Sequence, residues 1–187
     1  MKLFYFCLFT FAFCLFSACR PAAPPVAVSN KPVSINNIPQ GNLPLPPLKN
    51  VENLGWQEMN DGTRQTLGEL QNRVVVLDFW ATYCPPCLEE IPHLVELQNK
   101  YSDLRVIGLH VGGEEDQPKV PEFAEKLKIN YTLAYPDEEL SDALLRNESA
   151  IPQTFVFDRT GKFVTRIIGF DEEKKRELDR AIEEALK

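Results

Sequence analysis

The chain has 187 residues, of which 44% are apolar, and this length suffices for one domain of ordinary size with a buried core. Its formal net charge is -7 and its isoelectric point is about 5.0, which argues against a surface that must neutralise phosphates. We therefore expect no nucleic-acid partner.

The first eighteen residues, 1–18, predict a secretory signal peptide. One positive residue precedes an uncharged apolar run, LFYFCLFTFAFCLFSA, that ends in the small residues Ser17 and Ala18. This run of about 16 residues is short for a membrane span, which needs about 20. Cys19 then resembles the lipidated cysteine of bacterial lipoproteins, although Phe16 stands where that motif usually has leucine. We expect lipid attachment at Cys19, and an uncleaved anchor or plain secretion are the alternatives.

Residues 19–50 predict a proline-rich tether. The segment 20–50 holds eight of the fifteen prolines and shows no hydrophobic periodicity. Extended at about 3 Å per residue, it would reach roughly 60–90 Å. A tether of that length suits a domain that works at a distance from its membrane, and an inert tail is the alternative.

The folded domain is predicted for residues 51–187, where strands alternate with helices. A hairpin is expected over residues 56–66, because Asn60-Asp61-Gly62 is typical of a tight turn. The near-continuous apolar run 73–81 indicates a strand buried on both faces. Further strands are predicted for residues 104–111, 131–134, 153–157 and 162–168. Helices are predicted from the cysteine pair to Lys100, over 118–128, around 140–144 and over 171–187. This order indicates an α/β sandwich around a mixed sheet.

Only two of the five cysteines are expected to act in the mature protein. Cys7 and Cys14 leave with the signal peptide and Cys19 is assigned to lipid, so that Cys84 and Cys87 remain. A disulfide between these two would close so small a loop that it would stabilise the fold little. A structural role is therefore a poor explanation of the pair.

The segment WATYCPPCLEEIP places Cys84 at the start of a helix that directly follows a strand. Unpaired N–H groups and the positive end of the helix dipole favour the thiolate there. Pro85 and Pro86 fit the first helical positions but offer no N–H, which leaves those of Cys87 and Leu88 as donors. Two intervening residues let the sulfurs meet in one turn, so Cys87 can attack a mixed disulfide formed by Cys84.

A metal site is the main alternative use of the cysteines, with His93 and His110 as further ligands. The spacing C-x2-C-x5-H-x16-H fits no common zinc module, and Cys87 and His93 face different sides of a helix. Haem attachment needs a histidine where Leu88 stands. We expect neither a metal nor another cofactor.

These features resemble the TlpA/ResA branch of exported thiol–disulfide oxidoreductases, which have the thioredoxin fold. The matching motifs are DFWA before the pair, Cys84-x-x-Cys87, Pro92 within the helix, and IPQTFVFD from Ile151. The resemblance covers residues 51–187. It implies an α/β, thioredoxin-like fold with a central mixed β-sheet flanked by helices, an N-terminal hairpin, and an inserted helix–strand unit before Ile151.

The resemblance also implies a cis peptide bond before Pro152, beside the cysteine pair, where an extended substrate peptide would bind. We expect the substrate groove to be lined by Trp80, Tyr83, Pro85, Pro86, Ile151 and Pro152. Tyr83 stands where the family usually has tryptophan, and Ala150 stands where glycine usually precedes the Ile-Pro pair. Details of the groove should therefore differ from those of the family.

Two carboxylates are candidates for proton transfer with the cysteines. Glu90 lies three residues after Cys87, on the same helical face, and matches a buried glutamate of the ResA-like branch. Asp78 lies six residues before Cys84 and matches the buried aspartate of thioredoxin. Either is a candidate proton shuttle, and one should titrate high if both are buried together. A solvated Glu90 and a structurally paired Asp78 are the alternatives.

The sequence therefore predicts a membrane-tethered, extracytoplasmic thiol–disulfide oxidoreductase that acts as a protein-disulfide reductase. Its expected partners are disulfide-containing exported proteins, with a role in cytochrome c maturation, and an upstream membrane electron donor. We expect a monomer in the bacterial periplasm or on the outer face of the cell membrane. A peroxiredoxin-type peroxidase and a non-catalytic thioredoxin-like binding module are the alternatives.

Overall fold

The computed structural model describes residues 51–146 and 148–187. The predicted signal peptide 1–18, the lipid-bearing Cys19 and the tether 19–50 lie outside the described residues. The β-strands are β1 Gly55–Glu58, β2 Arg64–Thr66, β3 Val74–Trp80, β4 Leu104–His110, β5 Thr132–Pro136, β6 Gln153–Phe157 and β7 Phe163–Ile168. The α-helices are α1 Pro85–Lys100, α2 Val120–Lys126, α3 Glu138–Leu144 and α4 Glu172–Ala185.

The described strands form one mixed sheet in the order β2-β1-β5-β4-β3-β6-β7. The central strands β3, β4 and β5 run parallel, and every other neighbouring pair is antiparallel. The predicted N-terminal hairpin is β1–β2. The predicted inserted unit is α2 with β5, and β5 joins that hairpin to β4. The mixed sheet flanked by helices confirms the predicted thioredoxin-like fold.

The two faces of the sheet carry separate apolar cores, which explains the continuous apolar run of β3. On one face, Val74 and Val76 pack with residues of α1 and α4, such as Leu94 and Ile182. On the other face, the alternate residues of β3 pack with α3. All seven residues of β3 are buried. Side chains that alternate between two buried faces must be apolar at nearly every position, and Asp78 is the exception.

Turns and caps fix the ends of these elements. In the β1–β2 turn, Gly62 has a φ of 74°, and the Asp61 carboxylate accepts a hydrogen bond from the Thr63 N–H at 2.9 Å. Asp171 caps α4 by accepting from the N–H groups of Glu173 and Lys174, both at 2.8 Å. Both devices agree with the turn and helix start predicted from the sequence.

One predicted helix is shorter than the pattern indicated. The segment 118–128 was expected to be helical throughout, but it begins as a 3-10 turn, Gln117–Lys119, and continues as α2 only to Lys126. Pro118 and Pro121 lack the N–H groups that a regular α-helix would use, and Lys128 has a φ of 54°, which ends the helix.

Candidate active site

The cysteine pair lies where β3 passes into α1. Trp80 ends the strand, and Cys84 is the N-cap of the helix that begins at Pro85. The two sulfurs are joined as a disulfide, Cys84–Cys87. Cys84 is 4% exposed and Cys87 is fully buried, so that a partner reaches the Cys84 sulfur first. This placement is the one predicted from the sequence.

The N-terminus of α1 directs one backbone donor at the Cys84 sulfur. Pro85 and Pro86 take the first two helical positions and offer no N–H. The Cys87 N–H donates to Cys84 Sγ at 3.2 Å, whereas the Leu88 N–H donates to the Cys84 carbonyl at 3.3 Å. Of the two donors expected for the thiolate, the structure therefore directs only the Cys87 N–H at the sulfur.

A groove near the disulfide is lined by two of the six residues expected to contact substrate, Tyr83 and Ile151. The Ile151–Pro152 peptide bond is cis, as predicted, and Ile151 packs against the apolar cluster that holds both cysteines. Tyr83 is 63% exposed, and Pro85 is also exposed. Next to them lies a cavity of about 460 Å³, lined by Tyr83, Val111, Ser141, Asp142, Leu145, Arg146, Glu148, Ser149, Ile151 and Gln153. An extended peptide could lie along this surface.

Trp80 does not line that groove, which corrects the prediction for this residue. Its side chain is fully buried and stacks on Phe123 of α2, with ring centroids 6.3 Å apart. His110 meets it edge-on at 5.5 Å. Because the inserted helix covers this end of β3, Trp80 forms the floor beneath the cysteines rather than a wall of the groove.

Both candidate carboxyls are fully buried under the active site. Glu90 Oε1 accepts a hydrogen bond from the Thr154 hydroxyl at 2.6 Å. Within the described part of the chain, neither carboxylate oxygen of Asp78 nor Oε2 of Glu90 has a hydrogen-bond partner. The burial of Glu90 contradicts the solvated alternative for this residue, and Asp78 has no hydrogen-bonded partner among the described residues.

Strand register explains why these groups meet. Asp78 pairs with Thr154 of β6 on one side and with Gly108 of β4 on the other, and paired residues point to the same face. A side chain at Gly108 would lie 3.1 Å from Tyr131 Cε2 and 3.1 Å from Trp80 Nε1. Because Gly108 has no side chain, the Tyr131 ring can pack directly on the sheet next to Asp78.

The electrostatics of this cluster favour a shared proton. Burial raises the pKa of Asp78 well above its usual value, and the charge of Glu90 raises it further. Burial also raises the pKa of Glu90, and the hydrogen bond from Thr154 lowers it by a smaller amount, so that the net value is about 7. Burial, and then the charges of Asp78 and Glu90, raise the pKa of the Tyr131 hydroxyl. At neutral pH the two carboxyls therefore hold at least one proton between them.

Neither histidine approaches the cysteines as a metal ligand would. His93 Nε2 lies 2.8 Å from Asp179 of α4, and His110 Nε2 lies 3.0 Å from Asp116. Across residues 51–146 and 148–187, no three His, Cys, Asp or Glu side chains are grouped so that they could hold a metal ion. Among the helices of residues 51–146 and 148–187, none is both long enough and apolar enough to cross a membrane.

A disulfide that bridges only one helical turn adds little to stability, and its position at a helix N-terminus favours a reactive thiolate after reduction. Built on this sheet beside a cis-proline, such a pair is the working centre of an enzyme that exchanges thiols and disulfides. The protein is thus a thiol–disulfide oxidoreductase with the thioredoxin fold.

Comparisons with known proteins agree with this class and identify the family. A family model described as Redoxin matches residues 39–182, more than half of the chain. Thiol-disulfide oxidoreductase ResA of a Bacillus cereus strain is 29% identical over 119 residues, 64% of this chain and 67% of the relative. Thioredoxin-like protein YneN of Bacillus subtilis is 26% identical over 124 residues, 65% of this chain and 71% of the relative.

A solved structure gives the same result. The thiol:disulfide interchange protein, a thioredoxin family protein of Chlorobium tepidum TLS, is 26% identical and superposes with a TM-score of 0.62. The match covers 73% of this chain and 97% of that one. The chain belongs to the Redoxin family and is a thioredoxin-like protein of the TlpA/ResA type.

Sequence reasoning missed two residues of the site, Thr154 and Tyr131. Thr154 is separated from Glu90 by 64 positions, and its role depends on the antiparallel pairing of β3 with β6. One signal was available for Tyr131. An isolated glycine within a strand, here Gly108, often marks the close approach of another group.

Proposed function

We infer that the protein reduces disulfides of exported proteins from a membrane-tethered position outside the cytoplasm. The observation that carries this inference is the difference between the two sulfurs. Cys84 is 4% exposed and directly follows Tyr83, which lines the groove, whereas Cys87 is fully buried on the same helix as Glu90. This asymmetry suits a first thiol that attacks substrate and a second that resolves the product.

The reaction is a transfer of two electrons and two protons. The Cys84 thiolate attacks one substrate sulfur, and the other substrate sulfur leaves as a thiolate, which takes up a proton from water. Cys87, as a thiolate, then attacks Cys84 Sγ and releases the first substrate sulfur, so that the substrate is reduced and Cys84–Cys87 is oxidised. A membrane donor supplies two electrons to restore the dithiol. Disulfide-bearing apocytochrome c is one substrate that the ResA resemblance favours.

Glu90 and Asp78 handle the proton of Cys87 in this scheme. The Cys87 thiol must lose its proton before it can attack, and a buried carboxylate one helical turn away can accept it. Glu90, whose pKa is raised to about 7, is matched to proton transfer near neutral pH. Asp78 shares the same buried space, and burial together with the charge of Glu90 raises the pKa of Asp78, so that Asp78 keeps its proton while Glu90 exchanges one.

The tethered location is supported by the sequence that precedes the described residues. Signal residues 1–18, lipidation at Cys19 and the proline-rich segment 19–50 together suit an anchored domain with a long reach. Membrane fractionation tests this part. Cys19→Ser should move the protein from membrane to soluble fractions without loss of disulfide-reducing activity. Unchanged membrane retention, with no lipid mass on the N-terminus, would contradict the anchor.

Steady-state turnover separates the reductase from the two alternatives. The full chain in detergent, supplied with dithiothreitol, should accelerate the reduction of insulin disulfides, and Cys84→Ala should abolish the acceleration. Hydrogen peroxide should be consumed no faster than in the absence of protein. Rapid peroxide consumption through Cys84 would favour the peroxidase, and absence of insulin turnover would favour the binding module.

A further inference from the structure

A second buried carboxylate, Asp116, lies next to the segment that leads from β3 into the active site. Asp116 belongs to the loop between β4 and α2, and only 1% of it is exposed. Asp116 Oδ2 accepts from the Thr82 N–H at 2.9 Å, and Oδ1 accepts a short hydrogen bond from the Thr82 hydroxyl. The two hydrogen-bond donors of Thr82, its N–H and its hydroxyl, are thus both bound by one carboxylate.

Two further donors converge on the same carboxylate. His110 Nε2 lies 3.0 Å from Asp116 Oδ2, and Lys119 Nζ lies 3.1 Å from Oδ1. Since an ionised carboxylate only accepts, the Nε2 atom of His110 carries the proton. Burial alone would raise the pKa of Asp116, but the hydrogen bonds from Thr82, His110 and Lys119 outweigh it and lower the pKa below its usual range. Asp116 is therefore ionised at neutral pH, where its carboxylate can accept from all four donors.

The loop is shaped around this carboxylate. A side chain at Gly112 would collide with Asp116 Oδ2 and come within 2.8 Å of His110 Nε2, so no side chain fits there. The Val111 N–H donates to the Trp80 carbonyl at 2.9 Å, which ties the same loop to the end of β3. The loop after β4 is thus held close to the end of β3 both by the missing side chain at Gly112 and by the backbone hydrogen bond of Val111.

Thr82 stands two residues before Cys84, within the short link between β3 and α1. The Cys84 N–H donates to the Ala81 carbonyl at 3.3 Å, a long hydrogen bond across this link. The two bonds from Thr82 to Asp116 therefore restrain the chain just before the reactive sulfur. A sulfur held at the helix N-terminus receives the Cys87 N–H, whereas a sulfur that moves away from it does not.

We propose that Asp116 is a positioning residue of the redox reaction, acting through Thr82 to hold the Cys84 sulfur at the N-terminus of α1. Through this restraint the loop that leads from β4 to α2 contributes to how readily Cys84 forms a thiolate. The proposal rests on the thiol chemistry of the proposed function but requires no particular substrate. Asp116 itself contacts neither sulfur nor substrate in this role.

The test changes Thr82, because replacing Asp116 would also remove a charge and thereby alter Cys84 directly. Thr82→Val and Thr82→Ala remove the hydroxyl without changing charge, and Thr82→Ser retains it. Thr160→Val is a matched control, since Thr160 also donates its hydroxyl and N–H to one carboxylate, that of Asp158, at 2.6 and 2.8 Å in the β6–β7 turn.

The readout is the rate at which iodoacetamide alkylates Cys84 between pH 4 and 10. The full chain carries Cys87→Ala and is reduced, and the modified peptide is followed by mass spectrometry. Thr82→Val and Thr82→Ala should raise the midpoint of the pH profile by about half a pH unit or more, toward the free thiol value of about 8.5. Thr82→Ser and Thr160→Val should leave the midpoint unchanged.

A merely structural role for Asp116 would give a different pattern. In that case Thr82→Val and Thr82→Ala would lower the melting temperature but leave the alkylation midpoint equal to that of Thr160→Val, and the proposal would be overturned. Thr82→Ala removes the same hydroxyl and places no methyl group against the Asp116 carboxylate, so the alanine variant provides the test if the valine variant does not fold. Because alkylation needs no protein substrate, a failure of the proposed function would leave this result intact.

Discussion

Replacing Glu90 by glutamine is expected to remove a large part of the pH dependence of stability. The Glu90 carboxyl is fully buried, and burial raises its pKa from 4.5 to about 7. Between these two values the unfolded chain ionises while the folded carboxyl keeps its proton. Stability is therefore full below pH 4.5 and is lost as the pH rises toward 7.

The size of the effect follows from the same two values. One pKa unit corresponds to about 1.4 kcal/mol, so the difference between 4.5 and about 7 corresponds to about 3 kcal/mol once Glu90 is ionised. Glutamine keeps the oxygen that accepts from the Thr154 hydroxyl and carries no charge. Against a typical stability of about 5–15 kcal/mol, a gain of this size is easily measured.

Guanidinium chloride unfolding of the oxidised full chain at pH 5 and pH 8 provides the assay. The stability of Glu90→Gln relative to the wild type should rise by about 2–3 kcal/mol from pH 5 to pH 8. Asp78 remains in both proteins, and because its pKa is also raised, it lowers the stability of both as the pH rises. The control, Glu89→Gln on the exposed side of α1, should follow the wild type. A constant difference between Glu90→Gln and the wild type at both pH values would refute the reasoning.

Three further predictions concern the cysteines, the strand beneath them and the groove. Cys87→Ala should accumulate mixed disulfides with substrates, seen on non-reducing gels, and Cys84→Ala should not; the reverse pattern would exchange their roles. Gly108→Ala should cost about 1–3 kcal/mol in urea unfolding, because the new methyl group would lie 2.8 Å from Leu133, and an unchanged midpoint would contradict that packing. Tyr83→Ala should raise KM for insulin about three- to tenfold, because it removes an exposed aromatic side chain that contacts the substrate. The reduction potential of the disulfide should not change. A changed potential would mean that Tyr83 acts on the disulfide rather than on substrate.

The position of the cysteine pair was predictable because its determinants are local. The apolar run of β3, followed at once by Cys84 and two prolines, defines a strand that passes into a helix. The helical step from Cys87 to Glu90 likewise places both on one face. Local periodicity therefore sufficed for the disulfide and for the burial of Glu90.

Contacts between distant segments were beyond such reasoning. The sequence around Trp80 would be the same whether this side chain borders a groove or lies beneath one. Its burial depends on the packing of Phe123 from the inserted helix, which the local sequence does not show. Thr82 and Asp116 are 34 positions apart, and nothing in either segment indicates the partner. Register and loop geometry, which are collective properties of the sheet, bring these residues together.

The reduction potential of the Cys84–Cys87 couple tests the central claim most directly. Pro85 and Pro86 provide neither N–H nor charge to a Cys84 thiolate, and one backbone N–H alone is directed at its sulfur within the described helix. A weakly stabilised thiolate makes a weak oxidant, so the potential should lie near the roughly −270 mV of thioredoxin. Equilibration of the full chain with glutathione buffers measures it. A value above about −150 mV, near that of the strong oxidant DsbA, would contradict a reductase.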